Sequence, residues 1–205
     1  MNLFRNLYPR FGAVFAGLLI FLSVWQFNRA ESPEEIQRGI AGEVLRFHVL
    51  ANSDSEEDQN LKMEVKNKIL DYLEPRIRDL GSREEVKAAV QDIMPELEGY
   101  AESLIQARGY DYPVKGEITV CPFPEKTYGD CTLPAGDYEA LRLTIGKGEG
   151  KNWWCILFPG LCFTDCIGEA VPKEEKEELR GLLTDEEYRS IFSGNHSYTI
   201  SFSWF

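Results

Sequence analysis

Residues 152–163 read NWWCILFPGLCF, twelve positions without a charge in a chain that is 27% charged. The adjacent pair Trp153 and Trp154 constrains the fold more than any other feature. In a strand, successive side chains point to opposite faces. Burying both rings therefore needs cover on both sides of a sheet. Cover on one side only leaves a tryptophan in an exposed apolar patch, and such patches mark partner surfaces. The run is far shorter than the roughly 20 apolar residues that cross a bilayer. An ordinary core strand, a partner surface and a disulfide staple all remain open for it.

The compartment narrows the choice. Residues 11–25, FGAVFAGLLIFLSVW, carry no charge and follow Arg5 and Arg10. A positive flank before an apolar run is the pattern of an export signal or anchor, with the N-terminus kept in the cytoplasm. Residues 1–30 are therefore expected to be a signal peptide or membrane anchor. Cleavage and retention both remain open, because Asn28-Arg29-Ala30 offers a small residue only at its last position. Residues 31–42 read as a linker and 43–205 as one domain. Beyond residue 30 the chain holds 19 basic and 34 acidic residues. Such a body repels nucleic acid and anionic lipid, so no nucleic-acid partner is expected.

Export permits disulfides among Cys121, Cys131, Cys155, Cys162 and Cys166. No C-x-x-C spacing points to zinc, and no metal or cofactor is expected. Cys155 and Cys162 are the favoured pair, because the turn dipeptide Pro159-Gly160 between them would fold the chain back. The alternative is that both are small buried hydrophobes.

Along the chain, 43–50 (EVLRFHVL) reads as a strand with Leu45, Phe47 and Val49 on one face and Arg46, His48 and Leu50 on the other. Ser55 opens a helix with Glu56, Glu57 and Asp58 in its first turn, and Pro75 warns of its end. Ser82 with Glu85 caps a second helix, Pro95 breaks it, and a third closes at Gly109. Strands are expected at 114–120 and 138–146, with a Pro/Gly-rich loop over 121–137 between them. Acidic helical turns occupy 173–190, and YTISFSWF at the C-terminus alternates as a half-buried strand. Helices grouped early and strands late imply an α+β domain, a mixed or antiparallel sheet with helices packed on one face.

Catalytic signals are weak. His48 and Asp54 are the only pair suggesting acid–base work, no G-x-S-x-G or H-E-x-x-H motif supplies a partner, and a lone histidine on an outward strand face is expected to be exposed. GKGEGK (146–151) lacks phosphate-loop spacing, with Asn152 where Ser or Thr should stand, and reads as a flexible turn. A Cys155 nucleophile with His48 is the remaining enzyme hypothesis, an extracytoplasmic hydrolase or cell-wall-binding protein. Asn195-His196-Ser197 matches a short glycosylation pattern that carries little weight.

The segments RFHVLANSDSEEDQNLK (46–62) and TYGDCTLPAGDYEALRLTIGKGEGKNWWCILFPGLCFTD (127–165), together with the exported N-terminus, resemble the stage II sporulation protein R family. The resemblance covers about residues 43–168, and Cys155 and Cys162 fall on family-pattern cysteines. It implies a signalling protein and not an enzyme. Such a protein is made in the forespore and exported into the space between forespore and mother cell. There it activates a membrane-embedded aspartic protease of the mother cell, which cleaves a precursor sigma factor. Partner-binding candidates from the matching segments are Asn52, Ser53, Asp54, Tyr128, Tyr138, Asn152, Trp153 and Trp154. They are expected to gather on one side of the sheet. The membrane is a further partner if the N-terminal segment is retained.

Overall fold

The computed structural model describes residues 31–163 and 170–192. The N-terminal apolar segment, Cys166, the glycosylation pattern and the C-terminal strand expected from YTISFSWF lie outside them. No helix among the described residues is long and apolar enough to cross a membrane.

Strand β1 (Leu45–Leu50) is the axis of the body that begins at Glu34. It runs parallel to β5 (Gly136–Ile145), with Arg46 opposite Ala140 and Leu50 opposite Thr144. On its other side it runs antiparallel to β6 (Asn152–Phe158), with Phe47 opposite Cys155 and Leu50 opposite Asn152. Strand β2 (Val114–Phe123) pairs antiparallel with β5, giving a four-stranded mixed sheet in the order β2-β5-β1-β6. The α+β class and the mixed sheet are as the sequence implies.

Alternation along the strands sends side chains to two different layers. In front, Leu45, Phe47 and Val49 of β1 join Leu141, Leu143 and Ile145 of β5 in an aliphatic core. Helices α2 (Glu56–Ile77), α3 (Arg83–Asp92) and α4 (Met94–Ala107) cover it through Val65, Ile69, Leu73, Val90, Leu97 and Ile105. Behind, Tyr138 and Ala140 of β5 and Ile156 of β6 meet Ile40, Phe123, Leu133, Leu179 and Ile191. These last come partly from α1 (Pro33–Glu43), α5 (Lys173–Leu182) and α6 (Asp185–Phe192). The expectation of helices on one face is thus corrected: the sheet is covered on both. Cover is incomplete toward the β2 edge, where Arg142 and Thr144 of β5 are half-buried and Val120 of β2 is exposed.

Two further expectations change. Most of residues 31–42, read as a linker, falls in α1, which buries Ile40. The loop over 121–137 is mostly strand. β2 runs on to Phe123, and a hairpin of β3 (Lys126–Tyr128) and β4 (Cys131–Leu133) turns at Gly129. Its prolines fall between strands and at exposed strand ends, where no ladder donor is needed.

Helix boundaries follow local chemistry. The Ser55 side chain accepts from the Asp58 amide, and the Ser82 side chain from the Glu85 amide. Pro75 is followed by only two more residues of α2. Ile93 ends α3 and begins α4, with Pro95 in the first turn where its missing N–H costs nothing. The outer edge of β2 is blunted by α4: Glu102 accepts from the Val114 amide and Glu98 from the Gly116 amide.

Candidate functional site

At one end of the sheet the turn after β1 is clasped to the turn between β5 and β6. Asn52 Oδ1 accepts from the Lys147 amide at 3.0 Å, and Asp54 Oδ1 from the Lys151 amide at 2.6 Å. The Glu149 and Gly150 amides donate to the carbonyls of Asn52 and Ala51 at 3.2 and 3.0 Å. Glycine is required on the far side of the clasp. Gly146 has φ of 58°, and a Cβ on Gly150 would lie 2.1 Å from the Ser53 carbonyl oxygen. GKGEGK is therefore a fitted turn, in accord with the reading against a phosphate loop.

The near side is anchored by Asp58, buried in the first turn of α2. Its Oδ2 accepts from Asn52 Nδ2 at 2.8 Å and from Ser53 Oγ at 2.6 Å. Burial alone would raise its pKa, but the bonds from Ser53 and Asn52 outweigh it and hold the carboxyl below its ordinary value. Asp58 thus turns away from the reciprocal arm of a capping box and fixes the preceding turn instead. Lys62, also buried, spans the clasp by donating to Gln59 Oε1 at 2.7 Å and to the Lys151 carbonyl at 2.8 Å.

Lys151 leads directly into β6, so the clasp sets where the two tryptophans stand. They do point to opposite faces, and each is partly exposed. Trp153 lies in front, edge-on to Phe47 at 6.0 Å, with Lys66 Nζ 4.4 Å from its ring centroid. Trp154 lies behind, stacked on His48 at 3.9 Å and tilted against Phe123 at 4.5 Å. The core and surface readings of this stretch therefore share it. Each ring is packed on one side and open on another, which is the geometry of an anchor residue.

Beneath Trp154 the back layer holds two nitrogen-rich side chains. Arg46 is fully buried. It donates through Nε to the Cys155 carbonyl at 3.1 Å and through Nη2 to the Tyr128 hydroxyl at 2.9 Å. Its guanidinium lies 4.2 Å from the Phe123 centroid and 4.9 Å from that of Tyr138. Burial lowers its pKa, opposed by the Tyr128 and Tyr138 hydroxyls. Aromatic faces supply the negative potential that a carboxylate would otherwise give. His48, read from sequence as outward and exposed, is buried, because the second layer covers that face. Burial pushes its imidazole down from the usual 6.5 to about 4, so it is neutral at physiological pH.

The enzyme hypothesis loses its parts here. His48 and Asp54 are not brought together: His48 Nδ1 is 3.8 Å from Cys121 Sγ, while Asp54 binds the Lys151 amide. Cys155 is bridged to Cys162, with Cα atoms 5.4 Å apart. This is the favoured pairing across Pro159-Gly160, and it leaves no nucleophilic thiol at Cys155. Burial raises the pKa of Cys121, so its contact with His48 joins two neutral groups and not an activated pair.

The partner-binding candidates do not gather on one side of the sheet: Asn52, Ser53, Asp54, Asn152, Trp153 and Trp154 share its clasp end, with Trp153 in front and Trp154 behind. Tyr128 reaches this group from the β3–β4 hairpin, its hydroxyl 3.4 Å from the Trp154 carbonyl. Tyr138 does not join it. It is buried toward the opposite end of the sheet, with its hydroxyl donating to the Pro134 carbonyl at 2.8 Å. Sequence reasoning missed Arg46, Lys62, Lys66 and Cys121. The signal for the first was present in β1, where Arg46 and His48 share a face that the double tryptophan already required to be covered.

A family model described as Stage II sporulation protein R matches residues 41–168. The Stage II sporulation protein R of Bacillus subtilis (strain 168) is 37% identical over 148 residues, covering 72% of this chain and 66% of that protein. No solved structure matches the chain.

Proposed function

We propose that this chain, which belongs to the stage II sporulation protein R family, is an exported ligand that switches on a membrane-embedded protease. In this reading the chain leaves the forespore behind its N-terminal apolar segment and acts in the space between the two cells. The mother-cell protease that receives it then cleaves a precursor sigma factor. The observation that carries the reading is the clasp end of the sheet, where two half-open tryptophans stand on a rigid frame within the matched region. Rigid aromatic anchors are what a protein ligand needs, since less ordering entropy is then lost on binding. A ligand shifts its receptor only as far as it prefers the active state over the resting one. The tryptophans, with Asn52, Ser53, Asp54, Asn152 and Tyr128 around them, are the proposed source of that preference. The rival reading, a hydrolase or cell-wall-binding protein using His48 and a cysteine, finds less support. Cys155 is bridged and His48 is buried and neutral.

The test is processing in a reconstituted host expressing the protease and its precursor sigma factor, with this chain exported beside them. Cleavage is expected to require the chain. Trp153→Ala and Trp154→Ala are each expected to lower processing by roughly 30-fold, the scale of a hot-spot loss. At least one of them should keep the wild-type melting temperature. If every inactive variant is also unfolded, the anchor role of the tryptophans is lost and they are core alone. If no cleavage occurs with folded, exported protein, the activating role itself fails.

A further inference from the structure

A cavity of about 460 Å³ opens at the far end of β6 from the tryptophans. Its floor is apolar: Ile77 at the end of α2, Leu80, Val86 of α3, and Leu157 and Phe158 of β6. Its rim carries Glu74 of α2 and Arg78 just beyond that helix on one side, and Glu174, Glu175 and Glu178 of α5 on the other. The two sides differ in how their charge is met. Glu74 is ion-paired with Arg78, the residue that caps its helix. Glu174, Glu175 and Glu178 form no ion pair among the described residues, whereas Glu177, off the rim, pairs with Lys173, and Glu175 Oε2 is buried without a hydrogen-bond partner. Burial and the neighbouring Glu175 raise the pKa of Glu178, the expected result of like charges crowded at a low-dielectric wall. The α5 side of the rim thus keeps three unneutralised acids above an apolar floor, while Arg78 balances Glu74 on the other side.

We infer that this cavity docks a cationic side chain, arginine or lysine, carried on an apolar stretch of a partner polypeptide. An amphipathic side chain of this type lays its methylene stem along an apolar wall and keeps its charged head at the rim. The three α5 carboxylates supply the counter-charge, and an arginine head can bridge two of them. A divalent metal is the poorer occupant. Among the described residues no group of three His, Cys, Asp or Glu side chains is arranged to hold a metal ion. The pocket is a second contact, separate from the tryptophan end, and it does not depend on what the tryptophans bind.

The experiment is fluorescence anisotropy of a rhodamine-labelled Leu-Arg-Leu-Arg-Leu peptide, titrated with the full-length chain in a non-ionic detergent. The triple variant Glu174→Gln, Glu175→Gln, Glu178→Gln is expected to weaken binding by at least roughly tenfold. The control variant Glu56→Gln, Glu57→Gln, on exposed acids at the start of α2, is expected to change it by less than about twofold. A Leu-Gln-Leu-Gln-Leu peptide should bind at least roughly tenfold more weakly than the arginine peptide. Equal weakening in both variants would reduce the effect to the general attraction of an acidic chain and overturn the inference. So would equal binding of the neutral peptide, or no binding of the arginine peptide at about 1 mM protein. Calcium binding that depends on the α5 glutamates, with no peptide binding, would reassign the site to a metal. Circular dichroism checks that both variants keep the wild-type fold. The readout needs no sigma-factor processing, so its failure and that of the activating role are scored separately.

Discussion

The two sides of the sheet solve the same problem with different chemistry. The front layer has a mostly aliphatic centre with Phe47 and Phe158 buried in it and tyrosines and Trp153 at its margin, against three helices from one continuous stretch of sequence. The back layer is assembled from α1, a hairpin and two later helices, and sets Phe123, Tyr138 and Trp154 against nitrogen-bearing side chains. It also accepts a buried arginine and a buried histidine. β1 belongs to both, sending Leu45, Phe47 and Val49 one way and Arg46 and His48 the other. The front is stabilised mainly by removing apolar area from water. The back must meet polar groups as well, and does so with carbonyl oxygens, a tyrosine hydroxyl and ring faces, leaving Arg46 Nη1 without a hydrogen-bond partner. A fold can therefore carry a charge in its interior without an acid beside it, provided π-faces and a few well-aimed acceptors surround it.

The contrast can be broken from either side. The largest loss is expected from Phe47→Ala, about 3–5 kcal/mol by denaturant unfolding, since it empties a fully buried ring site in front. Next comes a pH effect confined to the back. His48 has its pKa lowered on folding, from 6.5 to about 4, so the unfolded chain binds a proton first as pH falls. Its contribution is complete above 6.5, is lost as pH drops from 6.5 to about 4, and then levels off. The total is roughly 3 kcal/mol, and His48→Gln should flatten that slope. Replacing the bridge with Cys155→Ala and Cys162→Ala should cost roughly 2.5 kcal/mol from the short loop it closes. Smallest is Arg46→Met, expected within about 1 kcal/mol of wild type, because losing the cation also removes its desolvation cost. A loss as large as that of Phe47→Ala would show that the cation–π cage is a major support of the fold.

Much of the front layer was legible. The spacing of Leu61, Val65, Ile69 and Leu73, the caps Ser55 and Ser82, and the break at Pro95 follow from local rules that act within one helix turn. The Cys155–Cys162 bridge was legible because Pro159-Gly160 dictates a reversal between the two sulfurs. The back layer was hard to read for a physical reason. Its cover comes from segments that look polar alone, such as 33–43, or turn-like, such as 121–137. These gain structure only by packing onto the sheet. That is why His48 was assigned to solvent and why Tyr138 was placed among surface residues. At the site, the tryptophans announced themselves by adjacency, whereas the contacts of Asn52 and Asp54 with Lys147 and Lys151 join residues 95 and 97 positions apart.

That clasp bears on which changes of length the chain tolerates. β6 starts immediately after the bonded Lys151, so the loop from Gly146 to Lys151 acts as a counted spacer. Removing or adding one residue there while the clasp holds would shift β6 by one position in one direction or the other. Every side chain on that strand would then exchange faces. Trp154 would leave His48, Trp153 would leave Phe47, and Cys155 would face away from Cys162. A single-codon deletion in this polar, solvent-facing turn should therefore do more harm than most substitutions in the core, because it rewrites the inside and outside of an entire strand at once.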